Sequence, residues 1–200
     1  GTAGPPAVSP SGDRVALVIS DRDPPELVVL ATAIDEDALK ERQDTRDALL
    51  IRDPEDVPAV EPKAAPHEET ARRKHRGSVP QAPRWIDAQT LLYSLWRPDS
   101  RGNLVPDLYT WNTETGRERR LTHGANLREA SPCEGTAVAV HREDGVSHLV
   151  TVDLATGAVR DRTAPSAVRV DAGPRQDDAC TVLAWLENQG EWGVVVDHDG

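Results

Sequence analysis

The sequence predicts an all-β repeat protein built from four-stranded antiparallel sheets, and two observations lead to this prediction. First, residues 108–122 return in altered form as residues 149–163, an offset of 41 positions without any gap. Second, clusters of turn-forming residues recur ahead of short apolar runs. A fixed period of this size is typical of repeat architectures in which each repeat is one supersecondary unit.

The repeated stretch has the pattern of a β-hairpin. Polar and apolar residues alternate from 108 to 112, as expected of a strand that uses both of its faces. A short loop follows, from Asn112 to Gly116 and again from Asp153 to Gly157. In such a loop Asn or Asp can accept hydrogen bonds from the backbone, and Gly can adopt a positive φ. We therefore expect two equivalent hairpins, each returning through a polar strand.

Four turn clusters each precede a run of strand length, and their spacing suits a four-stranded unit. Pro83 and Pro132 are 49 positions apart, and Pro132 and Pro174 are 42 apart, whereas Pro10 lies 73 positions before Pro83. Proline and glycine at the turn leave the next residues free to form a strand. The clusters are 9–13, 84–89, 131–135 and 173–178, and the runs that follow them are 14–20, 90–96, 136–140 and 180–185.

These spacings divide the chain into regular and irregular parts. Residues 1–32 form a first blade segment, and 81–200 form further blades at about 81–130, 131–172 and 173–200, the last of them truncated. Residues 33–80 are expected to be a charged, Pro-rich insertion or mobile loop, because large apolar residues are scarce there. Its first part, Asp35 to Leu50, is a candidate helix. Arg97 to Pro106 is expected to be a long hairpin loop.

Together these units predict a partial β-propeller of about four blades. The sequence resembles the TolB-type propeller repeats, in which a Ser-Pro-Asp-Gly turn precedes an apolar strand and an acidic-x-x-Thr-Gly turn precedes Leu-Thr. Ser9 to Gly12 and Ser131-Pro132 match the first part, and Asn112 to Thr122 matches the second. Cys133-Glu134 and Arg162 depart from it. Similar repeats form the substrate-gating propeller of prolyl oligopeptidase-type peptidases and binding modules of the cell envelope or periplasm.

The composition excludes some partners and leaves others open. A net charge of −11 argues against a nucleic-acid or acidic-membrane binder and predicts a solvated acidic surface. No run of the chain reaches the ~20 apolar residues of a membrane span, and the start is unlike a signal peptide. The absence of an initiator Met suggests an internal piece of a longer chain. Cys133 and Cys180 are expected to be unpaired thiols, and they do not define a compartment.

Four stretches contain residue types that carry chemistry elsewhere, but each lacks part of its motif. His67-Glu68-Glu69-Thr70 begins like a zinc-protease helix, yet Ala71 stands where the second His ligand belongs. Ser147 beside His148 lacks the glycine of a nucleophile elbow and is expected to begin a strand. Asp197 to Gly200 is a turn rather than a calcium loop. Arg72 to Arg76, the one basic cluster, is expected to be a solvated loop. No catalytic residue, cofactor or metal site is therefore assigned.

The tryptophans are expected to pack the blades, and a ligand contact at any one of them is the alternative. Trp85, Trp96, Trp111, Trp185 and Trp192 all fall in predicted strands. The leading functional hypothesis is a noncatalytic binding or scaffold module with a protein or peptide partner, completed by the rest of the propeller or an attached domain. The alternatives are a substrate-gating propeller of a peptidase or other hydrolase whose catalytic domain lies elsewhere, and a structural envelope protein.

Overall fold

The described residues of the chain form a partial β-propeller of four antiparallel sheets. The computed structural model describes residues 4–37, 39–40, 43–44 and 67–162 with their side chains, and 169–176, 182–188 and 191–197 as backbone. Sheet 1 holds β1 (Ala7–Val8), β2 (Arg14–Ile19), β3 (Glu26–Ile34) and β4 (His67–Lys74). Sheet 2 holds β5 (Gln81–Trp85), β6 (Thr90–Pro98), β7 (Leu104–Asn112) and β8 (Glu118–Arg120). Sheet 3 holds β9 (Leu127–Cys133), β10 (Thr136–Glu143), β11 (Val146–Asp153) and β12 (Val159–Asp161). Sheet 4 holds β13 (Arg169–Gln176), β14 (Val182–Asn188) and β15 (Glu191–Asp197).

Each sheet is a simple meander, in which every strand pairs with its neighbour in sequence. The first strands of successive sheets contact one another, β1 with β5, β5 with β9, and β9 with β13. They therefore form the inner layer, and β4, β8 and β12 form the outer edge. The middle strands carry continuous buried runs, Leu91 to Leu95 in β6 and Ala137 to Val140 in β10, because both faces of a blade pack against neighbouring blades.

Among the described side chains, two apolar cores lie between adjacent sheets and join them. The core between sheets 1 and 2 includes Leu27, Val29, Tyr93 and Trp111. The core between sheets 2 and 3 is built from smaller side chains: Leu92, Leu108, Leu121, Leu127, Ala137, Ala139, Val150 and Val152. Trp85 of β5 also donates from Nε1 to the Ala7 carbonyl oxygen of β1 at 2.9 Å. These contacts hold the sheets face to face, as the propeller prediction requires.

The predicted hairpin repeat is present in sheets 2 and 3. Asn112 Oδ1 accepts from the Thr115 amide at 2.8 Å, and Asp153 Oδ1 accepts from the Thr156 amide at 2.7 Å. The glycine that closes each turn has a positive φ, 70° at position 116 and 79° at position 157. The two turns are thus built by the same bonds, 41 positions apart.

Three local predictions differ from the structure. Residues 67–74, expected in the insertion, form β4, whose backbone pairs with β3 although its side chains are mostly exposed and polar. The hairpin loop expected at 97–106 is confined to 99–103, because Asp99 accepts from the amides of Arg101 and Asn103 and closes it. Ser131 and Pro132, expected in a turn, lie in β9. The described residues at 36–37, 39–40 and 43–44 are helical, while 45–66 lie outside the described residues.

The prediction of two unpaired thiols is wrong at Cys133, which is disulfide-bonded. Cys133 ends β9, the strand that contacts β13 of the next sheet. The packing of consecutive blades therefore brings residues that are distant in sequence close together, a relationship that cysteine spacing alone does not show. Cys180 lies outside the described residues. Within the part of the chain that the structure describes, no helix is long and apolar enough to span a membrane.

Candidate functional site

The connections between strands fall at two ends of the sheets. In a meander, successive connections alternate between the ends. One end, which we call the turn end, carries the tight turns between β1 and β2, β5 and β6, and β7 and β8. The other end, which we call the loop end, carries the loops at 20–25 and 99–103 and the crossings between sheets at 75–80 and 121–126. Two surface depressions formed by described residues open at the loop end.

The first depression, which we call the Arg120 depression, lies where sheets 2 and 3 meet. Its volume is about 490 Å³, and its mainly polar lining includes both acidic and basic side chains. The lining residues are Pro98, Asp99, Ser100, Arg101, Arg120, His123, Gly124 and Glu143. The loops that form it belong to two different sheets. Its shape therefore depends on how the two sheets are held together.

A buried carboxylate, Asp107, holds the wall of this depression in place. Asp107 has no exposed surface. It accepts from Arg120 Nη2 at 2.6 Å, from Thr122 Oγ1 at 2.9 Å, and from the amides of Gly124 and Ala125 at 2.9 and 3.0 Å. These four donors, one of them a guanidinium, offset the cost of burying the charge. The crossing from sheet 2 to sheet 3 is thereby fixed in one conformation.

The second depression, which we call the Trp96 depression, lies between the loops of sheets 1 and 2. It measures about 410 Å³ and is mainly apolar, and its lining is Asp23, Pro25, Gly77, Ser78, Val79, Gln81 and Trp96. The Trp96 amide donates to Ser78 Oγ at 3.0 Å, and its Nε1 donates to Gln81 Oε1 at 3.3 Å. The Arg128 guanidinium carbon lies 4.6 Å from the centroid of the indole ring. Trp96 is half-buried and held by contacts from three elements.

A charged cluster at the outer edge joins sheets 1 and 2, and we call it the Glu118 cluster: Arg73, His75, Tyr93 and Glu118. Arg73 donates from Nε and Nη2 to the two oxygens of Glu118, both at 2.7 Å, and Tyr93 donates its hydroxyl to the same carboxylate. Burial would raise the pKa of Glu118, but hydrogen bonds from Arg73 and Tyr93 outweigh it and lower that pKa. Burial, followed by the hydrogen bond to Glu118, raises the pKa of Tyr93.

His75 is the buried member of this cluster and is 3% exposed. Burial lowers the pKa of His75 to about 4, so the imidazole is neutral at pH 7. Its ring packs edge-on against Tyr93 at 5.4 Å between centroids, and its Nε2 has no hydrogen-bond partner among the described residues. The basic stretch expected to be a solvated loop is therefore structural, because Arg73 and His75 join two sheets and Arg72 bonds Glu26 at 2.7 Å.

A polar pair in sheet 3 occupies the position that Asp107 and Arg120 occupy in sheet 2. His148 and Asp161 lie 41 positions after Asp107 and Arg120, and His148 Nε2 is 3.0 Å from Asp161 Oδ1. His141 packs edge-on against His148 at 4.8 Å between ring centroids. Burial, followed by the neighbouring His148, lowers the pKa of His141. The same strand pair thus carries an acid and a base in both sheets, with their order along the chain reversed.

The other stretches with candidate chemistry fall in strands. His67 to Thr70 form the start of β4 rather than a helix, and Ser147 is the second residue of β11, where it is buried. Among the described residues, no group of three His, Cys, Asp or Glu side chains is placed to hold a metal ion. Asp197 ends β15, and 198–200 lie outside the described residues.

The three tryptophans whose side chains the structure describes divide into two packing residues and one residue at a depression. Trp85 and Trp111 are buried in the core between sheets 1 and 2, as predicted. Trp96 lines a depression. The backbones at Trp185 and Trp192 lie in β14 and β15, also as predicted. Pattern alone did not separate Trp96 from the others, because all of them occupy strand positions.

Comparisons with known proteins identify the fold. The sequence matches no protein-family model and no curated protein. The structure is similar to TolB from Acinetobacter baumannii (14% identity, TM-score 0.61), over 96% of this chain and 40% of TolB. It is also similar to a prolyl endopeptidase, with 12% identity and a TM-score of 0.57, over 98% of this chain and 26% of that one. A third similar structure is the β-propeller domain of the Trilobed protease from Pyrococcus furiosus, with 12% identity and a TM-score of 0.50, over 99% of this chain and 69% of that one.

These likenesses show that the chain has a β-propeller fold like that of TolB. At identities of 12–15% they establish the fold and not an activity, because one fold serves many functions. The chain spans 40% of TolB from Acinetobacter baumannii, 64% of a similar structure, the putative TolB from Agrobacterium tumefaciens, and 26% of the prolyl endopeptidase, in each case less than two thirds of that structure's own length.

Proposed function

We propose that the chain is a noncatalytic propeller module that binds a protein or peptide at its loop end. The observation that supports this proposal most directly is the pair of depressions at that end, each formed by loops from two adjacent sheets. Binding residues are often placed on loops that a rigid scaffold positions. Asp107 beneath one depression and the contacts of Trp96 at the other provide that rigidity.

Site-specific photocrosslinking in the native full-length protein tests this proposal. A photoreactive amino acid replaces Ser100, an exposed residue of the Arg120 depression, or Glu114, an exposed residue of a turn at the opposite end. We expect a discrete crosslinked protein from position 100 and none from position 114. Crosslinking from position 114 alone would place the binding surface at the wrong end and would overturn the proposal.

A second candidate function is the gating propeller of a peptidase or other hydrolase whose catalytic domain lies outside this chain. The likeness to a prolyl endopeptidase and to the propeller domain of a protease favours it. The native full-length protein should then react covalently with a fluorophosphonate probe of serine hydrolases, at a residue outside the 200 residues of this chain. Absence of labelling in a folded, full-length sample argues against this alternative and for the first proposal.

A further inference from the structure

The Trp96 depression combines an ordered aromatic ring with an apolar wall. Arg128, which lies over the ring, is not among the lining residues, so Trp96 meets the depression with the rest of its surface. Pro25 and Val79 are half-buried beside it. Gly77 adds bare backbone, with no atom within 4 Å of where a Cβ would stand. A depression of about 410 Å³ with this lining has the size and character of a ligand pocket.

The polar groups of the depression define which ligand it suits. Asp23 is the one charged residue in the lining, and it has no ion-pair partner among the described residues. By contrast, Glu26 and Glu118 each bond an arginine. Ser78 Oγ accepts from the Trp96 amide, which leaves the hydroxyl hydrogen free to donate to a ligand carbonyl.

We propose that the Trp96 depression binds an extended peptide segment in which an aliphatic or prolyl side chain contacts the Trp96 ring and an adjacent Lys or Arg pairs with Asp23. This inference rests on the proposed function and assigns its partner class. The aromatic ring provides apolar area at little entropic cost, because its contacts already hold it in place. The net charge of −11 attracts a basic segment from a distance and disfavours an acidic one.

Titration with blocked heptapeptides tests the inference on the full chain. The probe is Ser-Gly-Val-Lys-Gly-Ser-Gly with an acetylated start and an amidated end, and its matched forms carry Glu or Ala for Lys, or Gly for Val. The indole N–H signals of the five tryptophans report binding by NMR, and the variant Trp96→Phe identifies the signal of Trp96. We expect the Val-Lys peptide to shift the Trp96 signal and to bind about threefold more tightly than the Val-Ala peptide, the range of an exposed ion pair.

The loop variant Asp23→Asn separates the charge contribution from any effect on folding. It should lower the affinity for the Val-Lys peptide to that of the Val-Ala peptide and leave Val-Ala binding unchanged. Arg101→Ala, in the other depression, should change neither affinity. Replacing Val by Gly in the peptide should weaken binding about tenfold or more, since an apolar contact in a central pocket supplies most of the affinity.

The inference would be overturned by equal binding of the Lys and Glu peptides, by a Val-Lys affinity that Asp23→Asn leaves unchanged, or by a shift confined to other indole signals. Loss of binding on Arg101→Ala would move the peptide to the Arg120 depression, so the inference would be wrong while loop-end binding stood. If no peptide binds but position 100 still crosslinks a partner, only the inference is wrong. If position 114 alone crosslinks, the proposed function is wrong as well.

Discussion

Gly157 lies directly against Leu121 across the boundary between sheets 2 and 3. A Cβ at position 157 would stand 2.0 Å from the Leu121 carbonyl oxygen, a distance that two such atoms cannot adopt. A Cβ added to Gly116, the counterpart 41 positions earlier, would have no atom within 4 Å of it. The two glycines have positive φ values of 79° and 70°, so they share the backbone requirement and differ in the space around them.

This difference predicts unequal effects of the same substitution. Gly116→Ala should lower the free energy of unfolding by about 1 kcal/mol, the cost of a non-glycine residue at positive φ. Gly157→Ala should lower it by about 2–4 kcal/mol, because the clash with backbone forces sheet 3 away from sheet 2. Chemical denaturation of both variants measures the two values. Equal losses would show that the sheets can move apart at no cost.

The buried carboxylate at Asp107 predicts a second loss of stability. Asp107→Asn keeps the size of the side chain but removes the charge that pairs with Arg120 and places an amide among four donors. We expect a loss of about 3 kcal/mol, the range for breaking a buried ion pair. Asp87→Asn is the matched control, because the exposed Asp87 only accepts from turn amides and Asn can do the same. It should cost less than about 0.5 kcal/mol.

The sequence predicts the hairpins well because their determinants are local. Asn112 and Asp153 form their turn bonds within three residues, so residue type and spacing are sufficient. The strand β4 was missed for the opposite reason. Its side chains read as a polar, charged loop, and its partner β3 lies more than thirty positions earlier in the chain. Only the backbone ladder, which no side-chain pattern records, makes it a strand.

The candidate site was harder to predict because each part depends on contacts between sheets. Trp96 differs from Trp85 and Trp111 only in what surrounds it in space. The exchange of Asp107 and Arg120 for His148 and Asp161 is visible in the sequence once the 41-residue offset is applied. The reversed order of the acidic and the basic residue could therefore have been noticed in the sequence. The hydrogen bonds between these residues could not.

The contacts of Arg119 predict that the outer edge of the sheets contributes to the free energy of unfolding. It donates to the carbonyl oxygens of Leu154 and Ala155, the latter at 2.6 Å, and so joins β8 to the turn of the next sheet. Arg73 makes the corresponding contact one sheet earlier, donating to the Gly116 carbonyl oxygen at 3.2 Å. Arg119→Ala should lower the free energy of unfolding by about 1 kcal/mol, because the contact is partly solvated.

Arg117→Ala is the control for Arg119, because it removes the same charge from an exposed position two residues away. It should change the free energy of unfolding by less than about 0.5 kcal/mol. Similar losses in both variants would mean that the effect arises from net charge and not from the bonds to Leu154 and Ala155.

His75 predicts how stability depends on pH. Its folded pKa of about 4 lies below the value of about 6.5 expected in the unfolded chain, so the unfolded state binds the proton more tightly. The free energy of unfolding should therefore fall as the pH drops from about 6.5 to about 4, with a contribution from His75 on the order of 3 kcal/mol. His75→Leu should flatten this part of the curve. The substitution should not abolish the pH dependence, since burial lowers the pKa of His141 as well.

Tyr93→Phe provides the comparison that isolates the titration of His75. It removes the hydroxyl that bonds Glu118 without removing a group that titrates between pH 4 and 6.5. The free energy of unfolding should fall by about 1–2 kcal/mol at pH 7, while the slope between about pH 5 and 6.5, where His75 and not Glu118 dominates, stays as in the parent chain. Denaturant titrations at several pH values measure both quantities. An unchanged slope in His75→Leu would mean that the imidazole is already accessible to protons in the folded chain.

The disulfide at Cys133 predicts a response to reductant. A thiol reagent added to the folded chain under nonreducing conditions should leave Cys133 unlabelled, and labelling should appear after reduction. Reduction, or the substitution Cys133→Ser, should lower the free energy of unfolding by about 2–4 kcal/mol, because the unfolded chain regains the freedom that the cross-link removes. Peptide mapping locates the label, and denaturation with and without reductant measures the loss. If Cys133→Ser lowers the free energy of unfolding and reductant lowers it no further in this variant, the loss arises from breaking the disulfide. A reductant effect that persists in this variant would assign it to another cause.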